Sequence, residues 1–213
     1  TIARNRVWHD DGSFAFATAA DAPTSAKAQF NLGVFLDDHG DPAAAATAYA
    51  RAAQLAPDWT DAHFNRAGAL AKSGDTSGAG AEYHPAQELQ PADARIVLNL
   101  GHALYQARRH AEAVEAYQDF LTHQGNAAGV LNSLGVNLMA LGKMAEAIEA
   151  YRKAVALSPE EPGYRLNLAR ALEAAGDRQA AADEYRAILQ RDAHQGAALR
   201  GLGMLAYTDG DKS

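Results

Sequence analysis

The chain has 213 residues, no cysteine and a formal net charge of −7. Without cysteine there are no disulfides and no thiolate metal sites. The acidic balance argues against a nucleic-acid partner held by phosphate neutralisation, which wants a basic face, and leaves peptide ligands open. No apolar run reaches the roughly 18 to 20 residues of a membrane span, so no direct membrane insertion of this chain is expected. No signal peptide is visible. The chain opens at Thr1 rather than Met, as a processed or excised piece would. The compartment therefore stays open between the cytoplasm and the soluble, extracytoplasmic part of a larger protein.

In chain order, residues 1–25 precede the regular pattern. Arg4-Asn5-x-x-Trp8-x-Asp10 is irregular. Ser13 reads as the N-cap of a short helix over residues 13–22, through Phe14, Phe16 and Ala20. Pro23 stands 34 residues before Pro57, so this helix reads as the second half of a degenerate leading hairpin that covers the first full one. Trp8 either packs on that cap or stacks on a ligand.

From Ala26 to Gln195 a period of 34 residues holds through five copies: 26–59, 60–93, 94–127, 128–161 and 162–195. Each copy carries the apolar spacing of two short helices. One column is always small: Gly33, Ala67, Gly101, Gly135, Ala169. A second is always alanine (Ala45, Ala79, Ala113, Ala147, Ala181), and a third always tyrosine (Tyr49, Tyr83, Tyr117, Tyr151, Tyr185). Small residues let facing helices approach, and a large ring fills the wedge beside them. Gly40, Gly74, Gly142 and Gly176 mark the turn within each hairpin, and Pro57, Pro91 and Pro159 stop the second helix. Two copies are irregular. Pro85 falls deep inside a helix and predicts a kink or break near Tyr83-His84-Pro85. Arg108 and Gly125 replace the turn glycine and terminal proline of the third copy, which predicts a turn of different shape. Residues 196–213 hold a further first helix, Ala197 to Tyr207, that serves as a closing cap or a truncated sixth copy.

These columns resemble the tetratricopeptide repeat, over 170 of the 213 residues. The first motif position, often Trp in the family, is Gln29, His63, Val97, Leu131 and Arg165 here. The resemblance implies an all-α fold, a right-handed superhelical solenoid of antiparallel helix pairs. It also implies that first helices line a concave face. The fifth, sixth and ninth residues of each copy would then project into a groove.

The sixth positions are Asn31, Asn65, Asn99, Ser133 and Asn167, with Asn132 beside the serine. An amide offers both donors and an acceptor, so it can satisfy both backbone groups of an extended peptide whatever its side chains. Hairpins about 10 Å apart would offer one amide per three extended residues of about 3.3 Å each. This column resembles the repeat arm of the O-linked N-acetylglucosamine transferases, and nothing here resembles their catalytic domain. Its other reading is helix packing before Leu-Gly. The fifth positions Phe30, Phe64, Leu98 and Leu166 would give an apolar floor, unless neighbouring helices bury them. His102 and Arg170 stand at ninth positions. The family's carboxylate clamp needs a basic fifth and an Asn ninth residue. Phe30 with Val34, and Phe64 with Gly68, exclude it.

No catalytic constellation, metal-ligand spacing or phosphate loop stands out, so no enzyme, cofactor or metal is expected. The N-terminal motif also resembles the junction of multi-span membrane proteins with a tetratricopeptide tail, some of them glycosyltransferase-like. The expectation is a non-enzymatic scaffold that binds a protein or peptide segment along its groove. The alternatives are the substrate-recognition arm of a larger glycosyltransferase or membrane protein, and a structural module that self-associates through its array ends.

Overall fold

The computed structural model describes residues 11–210, and the expectations placed on Trp8 and its surrounding motif lie outside them. Among the described residues there are twelve α-helices and no strand. The backbone packs as two compact units, Thr1–Arg108 and Arg109–Ser213. The N-terminal unit contains α1 (Asp11–Asp21), α2 (Ala26–Asp38), α3 (Pro42–Leu55), α4 (Thr60–Lys72), α5 (Thr76–Leu89) and α6 (Ala94–Gln106). The C-terminal unit contains α7 (His110–Gln124), α8 (Ala128–Ala140), α9 (Met144–Leu157), α10 (Pro162–Ala174), α11 (Arg178–Leu189) and α12 (Gly196–Gly210). Within each unit every helix packs on the next, and the division falls inside the third repeat.

Short turns make this register. Gly40, Gly74, Gly142 and Gly176 all have positive φ, which ends the first helix, and an aspartate often starts the second. The Asp41 and Asp75 carboxylates accept from the amides of Ala44 at 3.0 Å and Gly78 at 2.8 Å. Such caps satisfy donors that the first helical turn leaves open.

The third turn differs in one bond, which meets the sequence expectation in part. The amides of Asp41, Asp75, Lys143 and Asp177 donate to the carbonyls of Leu36, Leu70, Leu138 and Leu172, and the Arg109 amide makes no such bond to Leu104. Arg108 takes the same left-handed conformation as the glycines, with φ of 60°. The array imposes the turn, and the residue carries the strain. Arg108→Gly is therefore expected to stabilise the chain by about 0.5–1 kcal/mol, the left-handed penalty less the added unfolded-state freedom of glycine. A thermal midpoint higher by about 2–3 °C would check it. Gly125, with φ of 87°, ends α7, which is one residue longer than α3 or α9.

Pro85 does not break its helix. α5 runs without interruption from Thr76 to Leu89 with Pro85 inside it. The ring removes the bond that residue 85 would donate to the Ala81 carbonyl. Burial of Ala79, Tyr83 and Ala86 on the inner face holds the helix against that loss. Ser13, expected as an N-cap, lies inside α1, which begins at Asp11. α1 turns its small residues Ala15 and Ala19 inward and leaves Phe14 and Phe16 about half exposed.

The core is built from the repeating columns. Ala45, Ala79, Ala113, Ala147 and Ala181 are fully buried, and all five column tyrosines are at most 4 % exposed. In the first and fourth copies the ring lies directly on the small residue, Tyr49 on Gly33 and Tyr151 on Gly135. Burial pushes the Tyr83 phenol up to about 12, and likewise Tyr49, Tyr117 and Tyr185, from an ordinary value near 10. The neutral form is thus favoured in the fold. That stability is fully present below pH 10 and is lost as pH rises through the folded values. In an alkaline titration, helical circular dichroism is expected to hold to above pH 10 and to fall together with the last part of the tyrosinate absorbance, that of the buried column.

Candidate functional site

In the N-terminal unit the first helices α2, α4 and α6 carry Asn31, Asn65 and Asn99. Asn31 is exposed, and Asn65 and Asn99 are half-buried. Asn31 shares a cleft of about 340 Å³ with Val34, Phe35 and Asp38 of α2 and with His39 just after it, closed on the other side by α1. The fifth-position rings are lodged in the hairpin seams rather than lying open. Phe30 stacks on Trp59 with centroids 4.5 Å apart and meets Tyr49 at 5.3 Å. Phe64 meets Tyr83 edge-on at 5.7 Å, and the Arg95 guanidinium sits 5.9 Å from its centroid. Leu98 is half-buried, and His102 is exposed beside the Gln106 amide.

Acidic groups tie this unit together. Glu82 of α5 holds Arg66 at 2.6 Å and lies 3.3 Å from the His63 ring. Asp37 of α2 reaches Lys72 of α4 at 2.6 Å. These charges therefore serve neighbouring helices as well as solvent. Trp59 and Glu82 were not among the sequence candidates. Trp59 is a single residue outside the columns, and Glu82 acts across a spacing that one helix does not display.

In the C-terminal unit the amides are brought together. Asn167 of α10 donates through Nδ2 to the Asn132 Oδ1 of α8 at 2.9 Å. That bond uses one of the two donors of Asn167, so the pair keeps capacity for further bonds. The Ser133 hydroxyl lies close enough to the Tyr117 phenol to offset part of the effect of its burial. In the same sixth position of the last helix, a Cβ on Gly201 would overlap the Tyr185 ring. Those two sixth positions therefore abut the tyrosine of the preceding hairpin. Leu166 is half-buried and Arg170 is exposed, close enough to Tyr185 to act on its phenol electrostatically. The Tyr185 hydroxyl donates to Glu173 at 2.8 Å.

Asn137 was also not a sequence candidate. It is 2 % exposed, donates to the Ser133 carbonyl at 3.0 Å and lies 3.1 Å from the His110 ring. An amide in a column that otherwise reads Phe35, Ala69, Ala103 and Ala171 was its signal. Among the described residues no helix is long and apolar enough to cross a membrane, and no group of His, Asp and Glu could hold a metal ion.

Stacked helix pairs with invariant small and aromatic columns define a helical-repeat protein, a class that grows by nearest-neighbour packing rather than around one core. The chain belongs to the tetratricopeptide repeat family. One family model matches residues 12–59, 36–94, 64–128 and 98–162, and a second matches 138–204. No curated protein sequence matches the chain significantly. Among solved structures it is similar to MamA, residues 41 to the end, from Desulfovibrio magneticus RS-1. That match has 22 % identity and a TM-score of 0.69, covering 80 % of this chain and 97 % of that one. It is similar to YrrB, described as a tetratricopeptide protein with an unusual peptide-binding site, at 14 % identity and a TM-score of 0.68, covering 87 % and 96 %. It is also similar to the pilF protein of Pseudomonas aeruginosa, at 23 % identity and a TM-score of 0.68, covering 88 % and 85 %. At these identities the likeness is one of fold. That fold is consistent with an interaction scaffold.

Proposed function

We propose that the chain is a non-enzymatic scaffold whose first helices bind an extended peptide or protein segment. In the N-terminal unit Asn31, Asn65 and Asn99 hold the ligand backbone, with His102 at the ninth position. The half-buried edges of Phe30, Phe64 and Leu98 border its apolar side chains. In the C-terminal unit the Asn132–Asn167 pair, Leu166 and Arg170 take the same roles. The observation that carries this reading is the exposed Asn31 amide beside a cleft on the first-helix face, repeated in register by Asn65 and Asn99. A peptide-binding site named for the structurally similar YrrB supports it.

Binding to an array of diverse extended peptides, with and without Asn65→Ala/Asn99→Ala, tests the reading. Two lost backbone hydrogen bonds of about 1 kcal/mol each are expected to weaken peptide binding about 30-fold. Undiminished affinity in the double variant would remove the amides from the site.

A further inference from the structure

The cleft between α1 and α2 has a composition that the amide column does not use. It is lined by Phe14, Ala15 and Thr18 from α1, by Asn31, Val34, Phe35 and Asp38 from α2, and by His39, which caps α2. Positions 31, 34, 35 and 38 recur at the spacing of one helix face, so these groups form a row along α2. The row changes character along its length. It begins at an amide, continues over Val34 and Phe35, and ends at a carboxylate. Its volume, about 340 Å³, lies at the small end of ligand pockets and suits one or two side chains.

The charge at the end of the row is negative. Asp38 is exposed on the cleft. Behind it, Asp37 spends one oxygen on Lys72, and its Oδ1 is buried with no hydrogen-bond partner. His39, the other ionisable group of the lining, stacks on Phe35 with centroids 3.9 Å apart, and its Nδ1 lies 2.7 Å from the Phe35 carbonyl. Besides burial, both carboxylates raise the Tyr49 phenol, as an acidic neighbourhood would. Among the described residues no lysine or arginine lines the cleft.

We propose that this cleft is a subsite for a peptide bearing an apolar residue with a Lys or Arg two positions away from it. The proposal rests on the peptide-binding reading above and adds its side-chain preference. Geometry sets the spacing. From the level of Val34 and Phe35 to Asp38 the α2 axis rises by about 5 Å, at 1.5 Å per residue. Alternate side chains of an extended peptide share one face and lie about 6.6 Å apart. An apolar side chain over Val34 and Phe35 thus carries the second side chain on that face to the carboxylate, while Asn31 meets the backbone. An acidic residue there would face Asp38.

The test uses matched peptides within the array, identical except for Leu-Ser-Lys or Leu-Ser-Glu at their centre. They are measured by fluorescence anisotropy against the wild-type chain, Asp38→Asn and Asn65→Ala/Asn99→Ala. The Lys peptide is expected to bind about fivefold more tightly than the Glu peptide at low salt. Asp38→Asn, an exposed and nearly isosteric change, removes that preference. The double asparagine variant keeps it at lower overall affinity. Equal binding of the two peptides by the wild type, or a preference that survives Asp38→Asn, overturns this inference and leaves the peptide-binding reading standing. Failure of every peptide in the array to bind the wild type overturns both.

Discussion

Tyr117→Ala is expected to destabilise the C-terminal unit by about 4 kcal/mol, the usual loss for emptying a buried aromatic site. Tyr117 is 2 % exposed, with the Ser133 hydroxyl of the next helix beside its phenol. Its removal opens a void. The array has no single core to absorb such a void, because each hairpin is supported only by its neighbours. Tyr117→Phe keeps the ring that fills the site and is expected to cost under about 1 kcal/mol. Tyr207→Ala is the control. That ring is 75 % exposed, and its loss is expected to change stability by under about 0.5 kcal/mol. Urea unfolding followed by circular dichroism measures all three. Equal effects at Tyr117 and Tyr207 would refute the wedge role of the tyrosine column.

Gly135→Val comes second in size, at about 3 kcal/mol of overpacking. A Cβ on Gly135 would stand 2.6 Å from Cε1 of Tyr151, a ring that is itself only 3 % exposed and has no room to retreat. The second and fifth copies carry Ala67 and Ala169 in this column, so one methyl is accommodated there by a different hairpin approach. Gly135→Ala is therefore expected to cost less than valine. Gly203 supplies the contrast, since a Cβ there meets nothing within 4 Å. Gly203→Ala in α12 is expected to stabilise by about 0.8 kcal/mol through helix propensity alone. The same unfolding measurement decides between the two environments.

The fold was legible because a repeat states its packing five times. The glycine–tyrosine and alanine columns predict which faces meet, and the structure buries them. The failures have a common physical origin. Pro85 is judged from sequence by its local cost, but the buried face of α5 sets the outcome. Arg108 is judged by its poor fit to a left-handed turn, but the helices on either side dictate that turn. In both cases packing outweighs the local penalty, about 3 kcal/mol for an interior proline and about 1–2 kcal/mol for a left-handed residue.

The site was legible in part. The amide column and its place on the first helices are readable from spacing. Less so are the bonds between copies: Asn132 with Asn167 and Asn137 with His110 depend on helix rotation that periodicity does not encode. The stacking of Phe30 on Trp59 was hidden for the same reason, and it changes that position from an open floor to a packed edge.

The most direct test of the central claim is an NMR titration of the isotopically labelled chain with the tightest peptide from the array. The account predicts that shift changes concentrate on α2, α4 and α6 and include the side-chain amides of Asn31, Asn65 and Asn99. Changes confined to α3 and α5, with those amides unmoved, would contradict it.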